Sequence, residues 1–257
     1  MICPKCKELL FKENNTYKCK NNHSYDISKY GYVNLLLSKT NCGDPLESIK
    51  SRNKFLNKDY YNKLVYAIKD ILKCYNINTL LDCGCGTGYY SSHLKDDYNI
   101  TGIDISKDAV LYASKRDKKS TYIVASSSSI PIESDFFDAA YIVFAPLFEE
   151  ELSRVLKDNS IFILVSPNVK HLYEIKASVY DDPYYNEPEE LNLNHFTKIS
   201  SNNLTYIETM SNEDIIDLVG MTPYFYKTSR SNLSKLERID KLDVTIDFKI
   251  DVYKKMG

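Results

Sequence analysis

Residues 82–88 limit the possible folds of this chain more than any other segment does. They read Asp-Cys-Gly-Cys-Gly-Thr-Gly and directly follow the apolar run at 79–81. Alternating glycines have no Cβ and tolerate positive φ, so the backbone can turn sharply and approach another group closely. Residues 89–94 have helix-compatible spacing, and the next apolar run, 100–103, ends in Asp104. The pattern predicts a strand, a glycine-rich turn, a helix and a second strand with an acid at its tip.

The spacing of this turn separates two kinds of ligand. An acid at the tip of the second strand, Asp104, can accept hydrogen bonds from both hydroxyls of a ribose. Dinucleotide-binding turns read G-x-G-x-x-G, whereas this one reads D-x-G-x-G-x-G and resembles the first motif of Rossmann-like S-adenosylmethionine (AdoMet) methyltransferases. The alternative is a tight glycine turn without a ligand. The preceding strand and the following acid favour a cofactor site, whose candidate residues here are Asp82, Gly84, Gly86, Gly88 and Asp104.

Length and composition fit a globular chain with one large domain, or with a domain and a small module. The 257 residues are 43% hydrophobic and 26% charged, and the net charge is −2. This balance gives no overall signal for nucleic acid, although a local basic patch would be sufficient for binding. No run approaches the roughly 20 apolar residues that cross a bilayer, and no apolar signal segment is visible. The seven cysteines, two of them inside the glycine turn, predict a reduced, cytoplasmic protein without membrane contact.

Four residues near the start of the chain have the spacing of metal ligands. Cys3 and Cys6 form a C-x-x-C knuckle, and after twelve intervening residues Cys19 and His23 form a C-x-x-x-H pair. Two such pairs can surround zinc tetrahedrally and fasten a small β-ribbon, with strands predicted at 9–11 and 16–18. Because all four positions are filled by the protein, the pattern predicts a structural rather than a catalytic zinc.

Two other interpretations of this cluster are open at the level of sequence. A redox-active C-x-x-C would normally lie beside a βαβ unit, which this segment does not show. Unpaired thiols with an unrelated histidine are the second alternative. Cys42 and Cys74 have no partner at a metal-ligand spacing, and we interpret them as ordinary thiols.

The rest of the chain alternates helical patterns with apolar strands. Residues 24–38 are interpreted as extended chain beside the zinc, and 40–45 as a loop. We predict helices at 47–64, 64–75, 107–115 and 149–156, and strands at 121–125, 138–144, 160–165, 195–209 and 243–254. Nearly continuous apolar runs predict an α/β fold with a mainly parallel, Rossmann-like sheet. The clean alternation of 244–252 predicts an antiparallel last strand at an edge.

Ligands of such sheets bind at the carboxyl ends of the strands, where the strand order reverses. This places the glycine turn, Asp104, Ser126 and the segment Phe144-Ala145-Pro146 around one crevice. In amino-methylating enzymes the fourth strand often ends in Asn/Asp-Pro-Pro-aromatic, so Phe144, Ala145 and Pro146 are candidates for positioning a target base. The alternative is a strand end that is simply capped by proline.

The whole chain resembles the RlmA family, the 23S rRNA guanine-N1 methyltransferases. The most specific shared feature is the zinc knuckle joined to Gly31-Tyr32-Val33-Asn34-Leu35-Leu36, because the glycine turn alone fits many families. Further matches are Tyr30, Gly43-Asp44, Phe55-Leu56, Tyr61, residues 81–90, 102–107 and 124–127, Ala145-Pro146, His171-Leu172, residues 221–223 and Asp247-Phe248. The chain departs from the family pattern at Asn53, Asp59 and 157–159.

This resemblance implies a particular organisation and a particular reaction. It implies a zinc-binding β-ribbon for RNA recognition at 1–38, a linker and helix at 39–64, and an AdoMet-dependent methyltransferase domain at 65–257. The implied zinc ligands are Cys3, Cys6, Cys19 and His23, and the implied AdoMet contacts are Tyr61, Gly86, Thr87 and His171, with Asp104 on the ribose. The implied substrate is N1 of a guanine in a domain II hairpin of 23S rRNA, and the family tends to form homodimers.

Methyl transfer to guanine N1 requires alignment and the loss of one proton, which a base or a water must accept. The sequence leaves the catalytic base unknown; His171 is one candidate, although the resemblance makes it a cofactor contact. Phe144 or Tyr141 could hold the unstacked base, and Lys5, Lys7, Lys12, Lys18 and Lys20 give the ribbon a basic face. Two rival functions are a small-molecule AdoMet methyltransferase with a purely structural zinc ribbon, and a non-enzymatic AdoMet- or zinc-binding RNA module.

Overall fold

The computed structural model describes residues 1–37, 43–222, 225 and 228–257. Several predicted features lie outside the described residues: Cys42, the first half of the predicted loop at 40–45, the boundary between 38 and 39, and Pro223 of the matched segment 221–223. None of the helices in these ranges combines the length and the apolar character needed to cross a membrane.

Short strands form the N-terminal ribbon, and strands and helices then alternate along the chain. The strands are β1 (Leu10–Glu13), β2 (Thr16–Cys19), β3 (Ser24–Asp26), β4 (Val33–Asn34), β5 (Thr79–Cys83), β6 (Asn99–Asp104), β7 (Thr121–Val124), β8 (Phe137–Val143), β9 (Leu156–Pro167), β10 (Phe196–Ser211) and β11 (Lys241–Lys255). The helices are α1 (Leu46–Leu56), α2 (Asn62–Leu72), α3 (Tyr89–Leu94), α4 (Lys107–Arg116), α5 (Glu149–Val155), α6 (Tyr173–Val179), α7 (Asn212–Gly220) and α8 (Arg230–Leu236).

The large sheet has the order β10-β11-β9-β8-β5-β6-β7-β4, and β1, β2 and β3 form a separate antiparallel ribbon. The strands from β4 to β9 pair in parallel, and β11 is antiparallel to both of its neighbours. From β5 the chain builds outward through β6 to β7 and then returns to β8 on the other side of β5. The strand order therefore reverses between β5 and β8, which places a ligand crevice at their carboxyl ends. The predicted fold class is confirmed.

The two faces of this sheet are covered in different ways. Helices cover one face, where residues of α2, α3, α6, α7 and α8 share one core cluster with the sheet. On the other face, Cys3, Leu10 and Cys19 of the ribbon pack in one cluster with Leu81 and Ile103, together with residues of α5. The Ile2 N–H also donates to the Pro131 carbonyl at 2.9 Å. The ribbon is thus a covering layer of the sheet, in the position that helices occupy in a sheet wound on both faces.

The predicted helix at 47–64 is wrong, because the chain breaks into α1 and α2. Asp59 has φ 60°, a left-handed conformation that a helix cannot contain. Asn57 and Asp59 compete for backbone hydrogen bonds through their side chains and therefore favour such a break. The turn delivers Tyr61 to the start of α2, where its side chain is buried. The second predicted helix, 64–75, begins at Asn62 and ends at Leu72.

The predicted edge position of the last strand is also wrong, since β11 lies between β9 and β10. Its alternating pattern comes from a second face that is polar and yet buried. Asp247 there accepts hydrogen bonds from Asn168 Nδ2 at 3.1 Å, the Lys170 N–H at 2.9 Å and Thr205 Oγ1 at 2.7 Å. Buried polar groups are tolerated when they are paired in this way, so alternation alone does not identify a solvent-facing strand.

Candidate cofactor and zinc sites

The four predicted zinc ligands lie together at one end of the ribbon. Their ligand atoms are all within 4.8 Å of one another. Cys6 Sγ is 3.7 Å from Cys19 Sγ, and His23 Nδ1 is 3.4 Å from Cys3 Sγ and 3.5 Å from Cys19 Sγ. A tetrahedral zinc with Zn–S bonds of about 2.3 Å and Zn–N bonds of about 2.1 Å separates its ligand atoms by about 3.4–3.8 Å. The donor set and its spacing therefore fit a structural zinc, and the prediction of this metal is confirmed.

Local backbone geometry holds these ligands in place. The Lys7 N–H donates to the Cys3 carbonyl at 2.8 Å, and the Asn22 N–H donates to the Cys19 carbonyl at 3.0 Å. Lys7 and Asn22 have φ 63° and 62°. A left-handed residue therefore follows Cys6 in the first ligand pair and precedes His23 in the second. The Tyr25 hydroxyl lies 3.2 Å from Cys3 Sγ, where it can donate to a zinc-bound thiolate and orient it.

The glycines of the 82–88 turn serve different purposes. A Cβ at Gly84 would lie 2.4 Å from the Ala145 Cβ, and a Cβ at Gly88 would lie 2.7 Å from the Ala113 Cβ. These two glycines allow the turn to pack against the end of β8 and against α4. Beyond its chain neighbours, the nearest described atoms to a Cβ at Gly86 would be Arg52 Cδ and Nη1, each at 3.9 Å. Of the three glycines, only Gly86 is bordered by open space.

Gly84→Ala is expected to destabilise the fold by about 2–4 kcal/mol, because the new methyl group overlaps Ala145 and φ is +84°. The double variant Gly84→Ala with Ala145→Gly should recover the steric part of this loss. Gly86→Ala is the matched control and should cost only about 1–2 kcal/mol for its positive φ. Urea unfolding of the variants measures the differences; equal losses for Gly84→Ala and Gly86→Ala would contradict the assigned contact.

The backbone N–H groups of the turn are almost all used within the protein. Those of Gly84 and Cys85 donate to the Ile103 carbonyl, both at 2.9 Å, and that of Gly88 donates to the Cys85 carbonyl at 2.9 Å. The Gly86 N–H donates to Asp104 Oδ2 at 2.9 Å. A turn that binds pyrophosphate needs such groups free for the ligand. This arrangement therefore fits a cofactor without phosphate.

Asp104 ends β6 and is anchored by backbone donors. Besides Gly86, the Ser106 N–H donates to its Oδ1 at 2.8 Å, and Ser106 Oγ caps α4 by accepting from the Ala109 N–H. Each carboxylate oxygen keeps a lone pair for a ribose hydroxyl. Burial raises the pKa of Asp104, and the two backbone donors oppose this rise.

Three other candidates differ in their surroundings: Asp82 and Thr87 within the turn, and Ser126 beyond it. Asp82 accepts a hydrogen bond from Ser91 Oγ at 2.5 Å, and burial raises its pKa to about 7. The Thr87 hydroxyl is buried and has no hydrogen-bond partner in the described part of the chain. Ser126 follows β7, and its Oγ lies 2.7 Å from Ser128 Oγ. The unpartnered hydroxyl makes Thr87 the best suited of the three to meet a polar ligand; cofactor contact by all three stays a prediction.

Tyr61 and His171 meet at the other side of the crevice. Their ring centroids are 6.4 Å apart, and Phe248 packs against both, at 5.0 Å from each ring. His171 Nδ1 accepts a hydrogen bond from the Asp247 N–H at 3.2 Å. Burial lowers the pKa of His171 to about 3, so the ring is neutral and its proton is on Nε2. In this state Nε2 of His171 is a hydrogen-bond donor, and the lowered pKa makes the ring a poor proton acceptor.

The burial of neutral His171 predicts a specific pH dependence of stability. Between about pH 6.5 and pH 3 the unfolded histidine is protonated and the folded one is not. The folded state therefore keeps its full stability with respect to His171 above pH 6.5, and it loses stability as the pH falls from 6.5 towards 3. Between pH 7 and pH 5 we expect the wild type to lose about 1–2 kcal/mol more than His171→Asn, whose amide oxygen can replace Nδ1. Urea unfolding tests this, with the more exposed His93→Asn as control; parallel losses in wild type and His171→Asn would contradict it.

The three candidates for target-base positioning follow β8. Phe144 is 46% exposed, has φ 55° and stacks on His171 with ring centroids 5.9 Å apart. A left-handed conformation is strained for an aromatic residue, and such strain is concentrated at functional sites. Ala145 contacts Gly84, and Pro146 is exposed. Tyr141, the other aromatic candidate, is fully buried with its hydroxyl 3.1 Å from Ser91 Oγ, so that suggestion is wrong.

Sequence reasoning missed two contacts at this crevice. Ala145 lies against Gly84, and the Arg52 side chain lies over Gly86. Both join segments that are distant along the chain, so no local pattern reports them. The match at Ala145 in the family resemblance was the available signal, without a contact to Gly84 attached.

Three features together define an AdoMet-dependent methyltransferase: the strand order, the glycine turn suited to a cofactor without phosphate, and Asp104 at the end of β6. Here this domain is joined to a zinc ribbon. The family model "RlmA, N-terminal", a zinc ribbon, matches residues 1–39, and the model "Methyltransferase domain" matches 77–214. Since the second match spans more than half of the chain, the chain belongs to this methyltransferase family, and it carries the zinc ribbon of RlmA at its start.

Relatives and solved structures agree with this assignment. The chain is 29% identical over 244 residues to "Putative 23S rRNA (guanine-N(1)-)-methyltransferase YxjB" of Bacillus subtilis, covering 89% of this chain and 86% of the relative. It is 26% identical over 182 residues to the 23S rRNA (guanine(748)-N(1))-methyltransferase of Streptomyces fradiae, covering 67% and 65%. The crystal structure of YcgJ from Bacillus subtilis superimposes with a TM-score of 0.51 at 15% identity, covering 75% and 98%, and shows the fold alone.

Proposed function

We propose that this protein transfers the methyl group of AdoMet to N1 of a guanine in a domain II hairpin of 23S rRNA, in the cytoplasm. The observation that carries the proposal is the zinc cluster on a ribbon that packs directly onto the methyltransferase sheet. The relatives named as 23S rRNA guanine-N1 methyltransferases support the same substrate.

The crevice offers an aromatic surface and a neutral donor for this reaction. AdoMet supplies an electrophilic methyl group when it is bound. Phe144 presents an exposed ring on which an unstacked guanine can lie. His171 holds its proton on Nε2 and so can orient an acceptor atom, but it cannot take the proton from N1. We therefore propose that this proton leaves to water, while alignment in the crevice supplies most of the rate enhancement.

The ribbon carries a groove of about 390 Å³ that can receive RNA. Its lining includes Phe11, which is 59% exposed, together with Lys18 and Lys20. Lys18 pairs with Glu13 at 3.0 Å, and Lys20 pairs with Glu8 at 2.8 Å. Exposed pairs of this kind contribute little to stability, so phosphates can displace them, and an exposed aromatic ring can stack on a base.

Mass mapping of 23S rRNA tests the proposal most directly. RNA from cells that lack the protein should lose one methyl group on a domain II guanine, and the purified protein with AdoMet should restore it. The variant Lys12→Glu/Lys18→Glu/Lys20→Glu should lose hairpin binding, whereas Lys73→Glu at the end of α2 should not. Cofactor binding without any change in rRNA methylation would favour the small-molecule methyltransferase instead. Homodimer formation is also part of the proposal, and sedimentation of the purified protein measures it.

A further inference from the structure

The glycine turn offers few donors for the carboxylate of AdoMet, apart from the Thr87 hydroxyl, which has no hydrogen-bond partner among the described residues. The N–H groups of Gly84, Cys85, Gly86 and Gly88 all donate to acceptors within the protein. AdoMet carries a carboxylate at its amino-acid end, and a carboxylate is bound most strongly by charged donors. A cation from another segment beside the turn would add the stronger, charge-assisted contact.

Arg52 of α1 is the basic side chain that borders the turn. Its Cδ and Nη1 each lie 3.9 Å from the position of a Cβ at Gly86, and in the described part of the chain no other residue beyond the neighbours of Gly86 comes within 4 Å of that position. Arg52 also interacts electrostatically with Asp104, whose pKa it lowers against the larger effect of burial. The guanidinium thus borders the turn and is close enough to act electrostatically on the predicted ribose-binding acid.

The contacts of Arg52 hold one edge of the guanidinium and leave the other available. Nη2 pairs with Asp44 and donates to the Met221 carbonyl at 3.4 Å. Within the described ranges, Nη1 has no hydrogen-bond acceptor. The side chains of Arg52 and Asp44 are 25% and 46% exposed, so this ion pair adds little to stability. By contrast, Arg116 uses its Nη2 for Asn53 and Asn57, at 2.8 and 2.7 Å.

We propose that Arg52 binds the carboxylate of AdoMet, with Asp44 and the Met221 carbonyl holding the guanidinium over Gly86. This role belongs to the cofactor site and does not depend on the identity of the RNA target. Failure of the rRNA methylation experiment would therefore not affect the role proposed for Arg52. Failure of the Arg52 experiment would likewise not affect the methylation proposal.

Two ligands that differ at the amino-acid end test this role by calorimetry. S-adenosylhomocysteine keeps the carboxylate, whereas 5′-methylthioadenosine keeps the adenosine and the thioether but lacks the amino-acid group. Arg52→Met should weaken S-adenosylhomocysteine by about 10- to 100-fold, the usual effect of losing a charge-assisted hydrogen bond. It should change the affinity for 5′-methylthioadenosine less than twofold. Arg52→Lys should fall between wild type and Arg52→Met for the first ligand.

Lys50→Met is the matched control, because Lys50 lies on the same helix and pairs with Glu47 at 2.9 Å, away from the turn. It removes the same charge and should leave both affinities unchanged. Binding of 5′-methylthioadenosine also reports whether each variant is folded. Equal weakening of both ligands by Arg52→Met, or no weakening of either, would overturn the assignment of the carboxylate to Arg52.

Discussion

Asp104→Ala is expected to weaken AdoMet binding by at least about 100-fold, because it removes both acceptors for the ribose hydroxyls. The same change also frees the N–H groups of Gly86 and Ser106, which Asp104 now holds at 2.9 and 2.8 Å. The turn would lose its tie to the tip of β6 as well as its ribose contact. Calorimetric titration with AdoMet or S-adenosylhomocysteine measures the loss.

Asp104→Asn provides the graded comparison, since its amide keeps one acceptor oxygen and should lose less affinity than Asp104→Ala. Asp108→Asn is the matched control, because Asp108 is an exposed acid in the first turn of α4. It removes the same charge near the site and should bind the cofactor as the wild type does. Full retention of affinity by Asp104→Ala would reject the cofactor assignment.

Removal of zinc should destabilise the methyltransferase sheet together with the ribbon. Structural zinc contributes on the order of 10 kcal/mol to small metal-dependent folds, which is comparable to the whole stability of a typical domain. Here Cys3 and Cys19 share a core with Leu81 and Ile103 of the sheet. We therefore expect a chelator to lower the unfolding temperature of the entire protein in one cooperative transition, and to reduce S-adenosylhomocysteine binding.

Cys6→Ser should reproduce the effect of the chelator, and Cys74→Ser should not, because Cys74 is exposed and lies outside the cluster. Calorimetric unfolding with and without zinc distinguishes the two variants. A separate low-temperature transition for the ribbon, with unchanged cofactor affinity, would show that the two parts are energetically independent and would contradict this expectation.

The zinc ligands and the glycine turn could be predicted because their patterns are local. Cys3 and Cys6 are fixed in one tight turn, and the strand, turn and acid of the cofactor site follow one another along the chain. The crevice could be predicted from a general rule, since the carboxyl ends of parallel strands meet at one edge. The chemical class of the protein therefore followed from short segments.

Contacts between segments that are distant along the chain could not be predicted from local sequence patterns. The break at Asp59 is also held by the distant Tyr89, whose hydroxyl donates to Asp59 Oδ1 at 3.2 Å, and the buried polar face of β11 depends on partners such as Asn168. The burial of Tyr141 and the proton position on His171 also depend on tertiary neighbours. Each of these features changed an interpretation, and the last removed a candidate base.

The pairing of β4 with β7 has a practical consequence for shortened forms of the protein. Val33 and Asn34 occupy the outermost position of the sheet and pair with Ile123 and Val124. A chain that began after the ribbon would open the edge of β7 and uncover apolar residues such as Ile130 and Ile132. Open strand edges and apolar patches promote aggregation. The isolated methyltransferase region should therefore precipitate on expression, and point substitutions are the better means of separating the proposed RNA binding from methyl transfer.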